Sequence, residues 1–211
     1  RRILSMIAVV PFLLSLLPVA VSASCVDGVD NVLQMPDLFK DKKSVVFEDV
    51  VLLTYDSLKR PSCGEKAGKI AYPGYIRFQQ GRVKVSNGVS LSGPVHLAFS
   101  LKKNSMFVGE VCKEGKSVNS YVPNEACKVD LFEVAPMTVL KQFTKEGVYE
   151  INDLPGDWTD MKPLPPQDNP FIEGEWEVSI RLTMSGEALG GVKVGTRQWI
   201  DVSTTEAKEE L

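Results

Sequence analysis

The chain has 211 residues, 44% of them hydrophobic, with 24 Lys and Arg against 27 Asp and Glu. That length and apolar content suffice for one ordinary domain with a sizeable core. Cationic residues are spread along the chain rather than gathered in a stripe, which argues against nucleic acid as a partner.

Arg1 and Arg2 precede an almost wholly apolar run over 3–21, and Val21, Ser22 and Ala23 are small residues of the kind a signal peptidase reads. The expectation is a secretory signal peptide over 1–23; the competing reading is a signal anchor left in place. No later segment has 18 apolar residues in a row, so a soluble mature chain is expected. Residues 24–62 read as an N-terminal extension packed on the domain. Within it, 44–58 is rich in Val, Leu and Phe; its β-branched content favours a strand, although Val46, Val50 and Leu53 also fit helical spacing. Lys59-Arg60-Pro61-Ser62 ends it.

From Tyr72 the chain is plainly β. Pro73-Gly74 is a turn, 75–78 and 82–85 are short strands around Gln80-Gly81, and Asn87-Gly88 signals a hairpin. Val95, Leu97, Phe99 and Leu101 alternate with His96, Ala98, Ser100 and Lys102, which predicts a half-buried strand. Residues 106–111 read as the next strand, Val129 and Leu131 as part of another strand or a short helical turn, and 148–151 as a further one. Residues 153–170 form a loop with five prolines, and this stretch and its end carry Trp158, Met161, Leu164, Phe171 and Ile172, unusually apolar for a connection. Such a loop either touches lipid or a partner, or folds back over the core as a lid.

The clearest periodicity comes last. Trp176, Val178, Ile180, Leu182 and Met184 alternate with Glu175, Glu177, Ser179, Arg181 and Thr183, placing every large apolar side chain on one face of a strand. Residues 185–188 turn the chain and 189–202 supply the partner strand. Short strands at this spacing predict an all-β fold: an antiparallel, two-sheet, immunoglobulin-like sandwich over 63–203, followed by a charged tail over 204–211. The tail ends Lys208-Glu209-Glu210-Leu211, close to the Lys-Asp-Glu-Leu retrieval signal, so residence in the endoplasmic reticulum lumen is expected slightly ahead of secretion. The alternative is a charged tail that ends this way by chance.

Entry into an oxidising compartment makes Cys25, Cys63, Cys112 and Cys127 disulfide partners, with three pairings open. Gly115, Asn119, Pro123 and Asn124 between Cys112 and Cys127 favour that short loop, which leaves Cys25 with Cys63. None stands in a Cys-x-x-Cys pair, so neither a zinc site nor a thioredoxin-type site is supported.

Catalytic readings fare badly. The single histidine, His96, falls on the polar face of its strand, and no Gly-x-Ser-x-Gly elbow exists. The glycines of 189–195 do not open a helix, so they read as a bulge or a close sheet approach rather than a phosphate loop. Glu175 and Glu177 share a strand face and read as solvated charges better than as a catalytic dyad. No catalytic residue, metal or cofactor is expected.

The run Phe143-Thr144-Lys145-Glu146-Gly147-Val148-Tyr149, the Pro-rich apolar loop, Gly174-Glu175-Trp176-Glu177-Val178 and Gly186-Glu187-Ala188-Leu189-Gly190-Gly191-Val192-Lys193-Val194 resemble the ML lipid-recognition family, closest to its ganglioside-activator branch. The chain departs from that branch in having Gly191 where its last strand usually carries Cys, and in having fewer cysteines. The resemblance implies a β-cup whose splayed sheets hold a lipid: glycolipid, phospholipid or sterol. Trp176, Val178, Ile180 and Leu182 would line one wall and Val95, Leu97 and Phe99 another, while Trp158, Leu164, Phe171 and Ile172 would form a rim that touches membrane. The rival is a solid-cored module whose Pro-rich loop docks a protein, either a receptor or a client.

Overall fold

The computed structural model describes residues 25–40, 42–86, 94–120, 122–134, 145–154, 160–164 and 170–204. The expected signal peptide, the Asn87-Gly88 turn, Trp158 and the tetrapeptide Lys208 to Leu211 lie outside them. Thirteen strands are described: β1 Val32–Met35, β2 Val45–Asp56, β3 Ile70–Tyr72, β4 Gly74–Val85, β5 Val95–Lys103, β6 Glu110–Lys113, β7 Lys116–Ser117, β8 Lys128–Asp130, β9 Gly147–Glu150, β10 Lys162–Leu164, β11 Gly174–Met184, β12 Glu187–Val194 and β13 Ile200–Thr204.

They build two sheets. The first runs β1-β2-β4-β10, with β9 also on β4; the second runs β3-β13-β11-β5-β6-β7, with β12 on β11 and β8 on β5. The fold is thus an all-β two-sheet sandwich. It is not wholly antiparallel, because β13 pairs with β3 in parallel. Residues 24–62, read as an extension packed on the domain, instead supply two strands of the first sheet, and β2 runs beside β4 along its whole length. The strand prevails over the helical spacing: Val45 and Phe47 share one face, and a bulge at Asp49, φ 50°, re-phases the pleat so that Val50 and Leu52 join the same apolar cluster.

The strand period of β11 pairs with β5 so that Leu182 faces Leu97, Ile180 faces Phe99 and Val178 faces Leu101. Ser185 and Gly186 both take positive φ, 52° and 87°, the two-residue turn that fits the strands' own twist. The expected strand over 189–202 is two strands. Gly195, at φ 80°, turns the chain, so that β12 lies along Val178–Met184 and β13 along Gly174–Trp176 of the same β11 edge. The expected strand over 106–111 is also revised. Residues 104–109 form a turn and β6 starts only at Glu110, because the Ser105 hydroxyl accepts the backbone N–H groups of Phe107 and Val108, both at 3.3 Å.

The sheets are joined along one side. Past β1 the backbone lies against β12: Gly195 N–H donates to the Gln34 carbonyl at 2.8 Å, Lys193 N–H to that of Pro36 at 3.0 Å, and Leu38 N–H to that of Gly191 at 2.9 Å. Beside this seam the layers touch backbone to backbone. A Cβ added to Gly190 would collide with the Val45 carbonyl oxygen. Here the glycine permits the close sheet approach that its position in the sequence suggested.

The first sheet is also covered outside this main cluster. Leu53 and Tyr55 are 0% and 1% exposed, and the Arg77 guanidinium stands 5.6 Å over the Tyr55 ring. Burial, and after it the neighbouring Asp27 carboxylate, push the Tyr55 hydroxyl above the ordinary tyrosine value, and burial does the same to Tyr72. Such phenols keep their protons in the folded chain while the unfolded chain ionises. Their contribution is whole below about pH 10 and is lost as pH climbs through the folded values. Tyr55→Phe is expected to flatten the fall of Tm above about pH 10; an unaltered alkaline slope in thermal melts would contradict this.

Candidate functional site

Burial is uneven along the inward faces of the two sheets. Where the sheets are pinched, Val45, Val83, Val85, Val95, Leu182 and Val192 are all buried, with Val95 at 0% exposure. Along β5 burial then falls from Val95 to a half-exposed Leu97 and Phe99, and along β4 from Val83 and Val85 to a half-exposed Phe78 and Ile76. Across from them on β11, Ile180, Val178 and Trp176 are half-exposed too. Leu97, Ile76, Phe78, Trp176, Val178 and Ile180 pack against the main cluster, whereas Phe99 belongs to neither described cluster.

A second apolar cluster lies beside Leu101, towards the end of β5. Val111, Cys112 and Cys127 form its buried part, with Leu101, Val108, Val122 and Trp176 against them. The Cys112–Cys127 bridge spans 15 residues and the Cys25–Cys63 bridge 38, the pairing that the short loop favoured. Two disulfides fit an oxidising compartment. No helix among the described residues is long and apolar enough to cross a membrane.

All seven expected wall residues therefore lie in the second sheet, on the paired strands β5 and β11. They form one wall rather than the two expected. In the first sheet, Ile76 and Phe78 of β4 pack against the same main cluster; in the sequence they read as part of a short strand without a role. Of the expected rim, Phe171 is 64% exposed, while Leu164 and Ile172 are half-buried. Trp176 joins wall to rim: its Nε1–H donates to the Ile172 carbonyl at 2.6 Å, and Lys103 Nζ lies 5.7 Å from the indole while donating to the Phe171 carbonyl at 2.5 Å.

The exposed apolar feature that the sequence reading does not reveal is the β5–β6 turn. Met106 and Phe107 are 96% and 97% exposed, while their neighbour Val108 packs inward. Asn104 holds this turn to β11, its N–H on the Glu175 carbonyl at 2.9 Å and its amide on the Glu175 carboxylate at 2.6 Å. The only signal was Ser105 followed by two large apolar residues, which a strand reading absorbs as easily.

The polar groups weighed as catalysts sit outside this space. His96 pairs with Asp130 of β8 and Thr183 of β11 on the outer face. Glu177 is 3.6 Å from Lys193, and Glu175 is taken by Asn104. No cluster of three or more potential metal ligands occurs among the described residues.

Among the concave sites lined by described residues, two lie apart from the inter-sheet space. They flank Cys63-Gly64-Glu65, one of about 490 Å³ and one of about 440 Å³. Fold and site define a two-sheet β-sandwich whose layers touch at Gly190 and Val45 and whose inward residues are less completely buried away from that contact. Comparison with models of known families returns no match, and comparison with curated proteins returns none either.

Proposed function

We propose that this chain is a non-enzymatic lipid-binding protein of the secretory pathway, resident in the endoplasmic reticulum lumen or released from the cell, with the lipid-holding architecture of the ML family. Acyl chains enter the less completely buried end of the sandwich, between Leu97, Phe99, Val178 and Ile180 on one side and Ile76 and Phe78 on the other. The observation that carries this reading is the incomplete burial of that inward row, beside a pinched end whose apolar residues are fully buried. Each methylene taken from water gains about 0.8 kcal/mol. The gain is nearly the same inside a bilayer, so exchange with a membrane needs little net work once the mouth touches it.

Met106, Phe107 and Phe171 make that contact. The Ser105 hydroxyl already satisfies two N–H groups of the turn, so this tip enters an apolar layer with few donors left unpaired. The rival reading, a protein-docking module, would use the same exposed pair on a partner protein.

The test is sedimentation with phosphatidylcholine vesicles together with transfer of a fluorescent phospholipid between them. Met106→Ser with Phe107→Ser is expected to weaken vesicle binding at least roughly tenfold, given about 1.5–3 kcal/mol for each large apolar side chain. Ile180→Trp is expected to block transfer while leaving vesicle binding intact. Absence of vesicle binding and transfer in the wild-type chain would remove the lipid reading and leave the docking one.

A further inference from the structure

The larger of the two concavities lies on the joined side of the sandwich, at the edge of β11 where its lining residue Ile200 pairs with Trp176. It encloses about 490 Å³ between the 63–67 turn, the 29–34 stretch and the 195–200 connection. That volume is within the range of small-ligand sites, roughly 300–1,000 Å³.

Its floor is rigid. Leu33 and Ile200 are 1% and 4% exposed and belong to the main core. Cys25–Cys63 ties the turn to the start of the domain, and Gly195 N–H is bonded to the Gln34 carbonyl. Gly64 N–H is bonded to Ala67, and Gly68 N–H to Val32, at 2.8 and 3.0 Å. A ligand therefore meets a backbone floor that is already shaped, and the ordering cost falls on the exposed side chains around it.

The lining sets the ligand's chemistry. Trp199 supplies a half-buried aromatic wall, and Glu65, Lys66 and Arg197 stand exposed around it, engaged in none of the described ion pairs. Asp30, whose carboxylate accepts the Val26 N–H at 2.9 Å, adds a second negative charge. Two cations and two carboxylates cancel, so neither an anion nor a cation is drawn in by net charge. Donors and acceptors of both kinds share this lining with the Trp199 ring, and an acyl chain would only strip water from them. A pyranose matches both demands. Its C–H face packs on an indole, and each hydroxyl both donates and accepts.

We propose that this cleft is a saccharide site for uncharged sugars, with Trp199 as the stacking wall and Glu65, Lys66, Arg197 and Gln34 as hydroxyl partners. The site is independent of the lipid reading and stands if that reading falls.

The experiment is a calorimetric titration of the full chain with maltose, cellobiose, N,N′-diacetylchitobiose and mannobiose, followed in parallel by tryptophan fluorescence. At least one of these sugars is expected to bind at a single site. Trp199→Ala is expected to weaken that binding at least roughly tenfold. Arg197→Gln, on the exposed rim where folding is not at stake, is expected to weaken it several-fold, and Ile180→Trp to leave it unchanged. The proposal is overturned if none of the four sugars binds, if Arg197→Gln and Trp199→Ala bind as the wild type does, or if glucuronate or glucose 6-phosphate binds in preference to the neutral sugars.

Discussion

Gly190→Ala is expected to destabilise the chain by about 2–3 kcal/mol, as an overpacked core does, and to lower Tm by roughly 4–12 °C in a chain of this size. The cause is steric. Gly190 sits opposite Leu182 in the β11–β12 pair, on the side facing the first sheet, where an added methyl would run into the carbonyl oxygen and Cβ of Val45. The obstacle is backbone on both sides, so no rotamer relieves it, and the sheets must separate at the point where they are closest. Gly186→Ala is the contrasting case. Nothing lies within 4 Å of that position, and only its φ of 87° penalises a side chain, for a cost of about 1 kcal/mol. Chemical denaturation of the two variants should rank them in that order. Equal losses would mean that the pinch at Val45 is not what sets the spacing of the layers.

The double replacement of Cys112 and Cys127 by Ala is expected to cost about 3 kcal/mol from loop closure alone, given the 15-residue separation. More should follow, because Cys112 and Cys127 are 1% and 0% exposed and form the centre of the second apolar cluster. Removing the sulfurs leaves Leu101, Val108, Val122 and Trp176 without their buried partners. Val108 anchors the turn that displays Met106 and Phe107, so vesicle binding should fall together with stability. The Cys25–Cys63 bridge behaves differently under reducing agent. Both of its cysteines are half-exposed and line the cleft beside Trp199. A thiol reagent applied to the folded chain should open Cys25–Cys63 first and reach Cys112–Cys127 only on unfolding. Mass mapping of alkylated cysteines reads the order, and simultaneous reduction would contradict it.

Much of the fold was legible because its strands carry a strict two-residue alternation. Val95 to Leu101 and Trp176 to Met184 declared both their strand character and their inward face, and the register pairs those two rows directly. The β2 strand was harder, since Leu52 joins the main cluster while Leu53 and Tyr55 are buried outside it; a strand covered on both sides loses its alternation. What sequence could not give was the geometry between sheets. The pinch depends on a glycine in β12 meeting a carbonyl in β2 some 145 positions earlier in the chain, and no local pattern encodes such a distance. The part of Ile76 and Phe78 stayed hidden for the same reason, because they acquire a role only through the sheet they face. The exposed tip was masked by its own composition: Met106, Phe107 and Val108 resemble a buried strand until the Ser105 hydroxyl captures the turn's N–H groups.

The most direct measurement is native mass spectrometry of the chain purified from an oxidising, lipid-containing compartment, with organic extraction and identification of whatever it carries. Adducts of acyl-lipid mass are expected on the wild-type chain, with Ile180→Trp at wild-type stability carrying few or none. A folded wild-type chain that emerges bare, and stays bare after incubation with phospholipid vesicles, would contradict a hydrocarbon-holding space between Ile180 and Phe78.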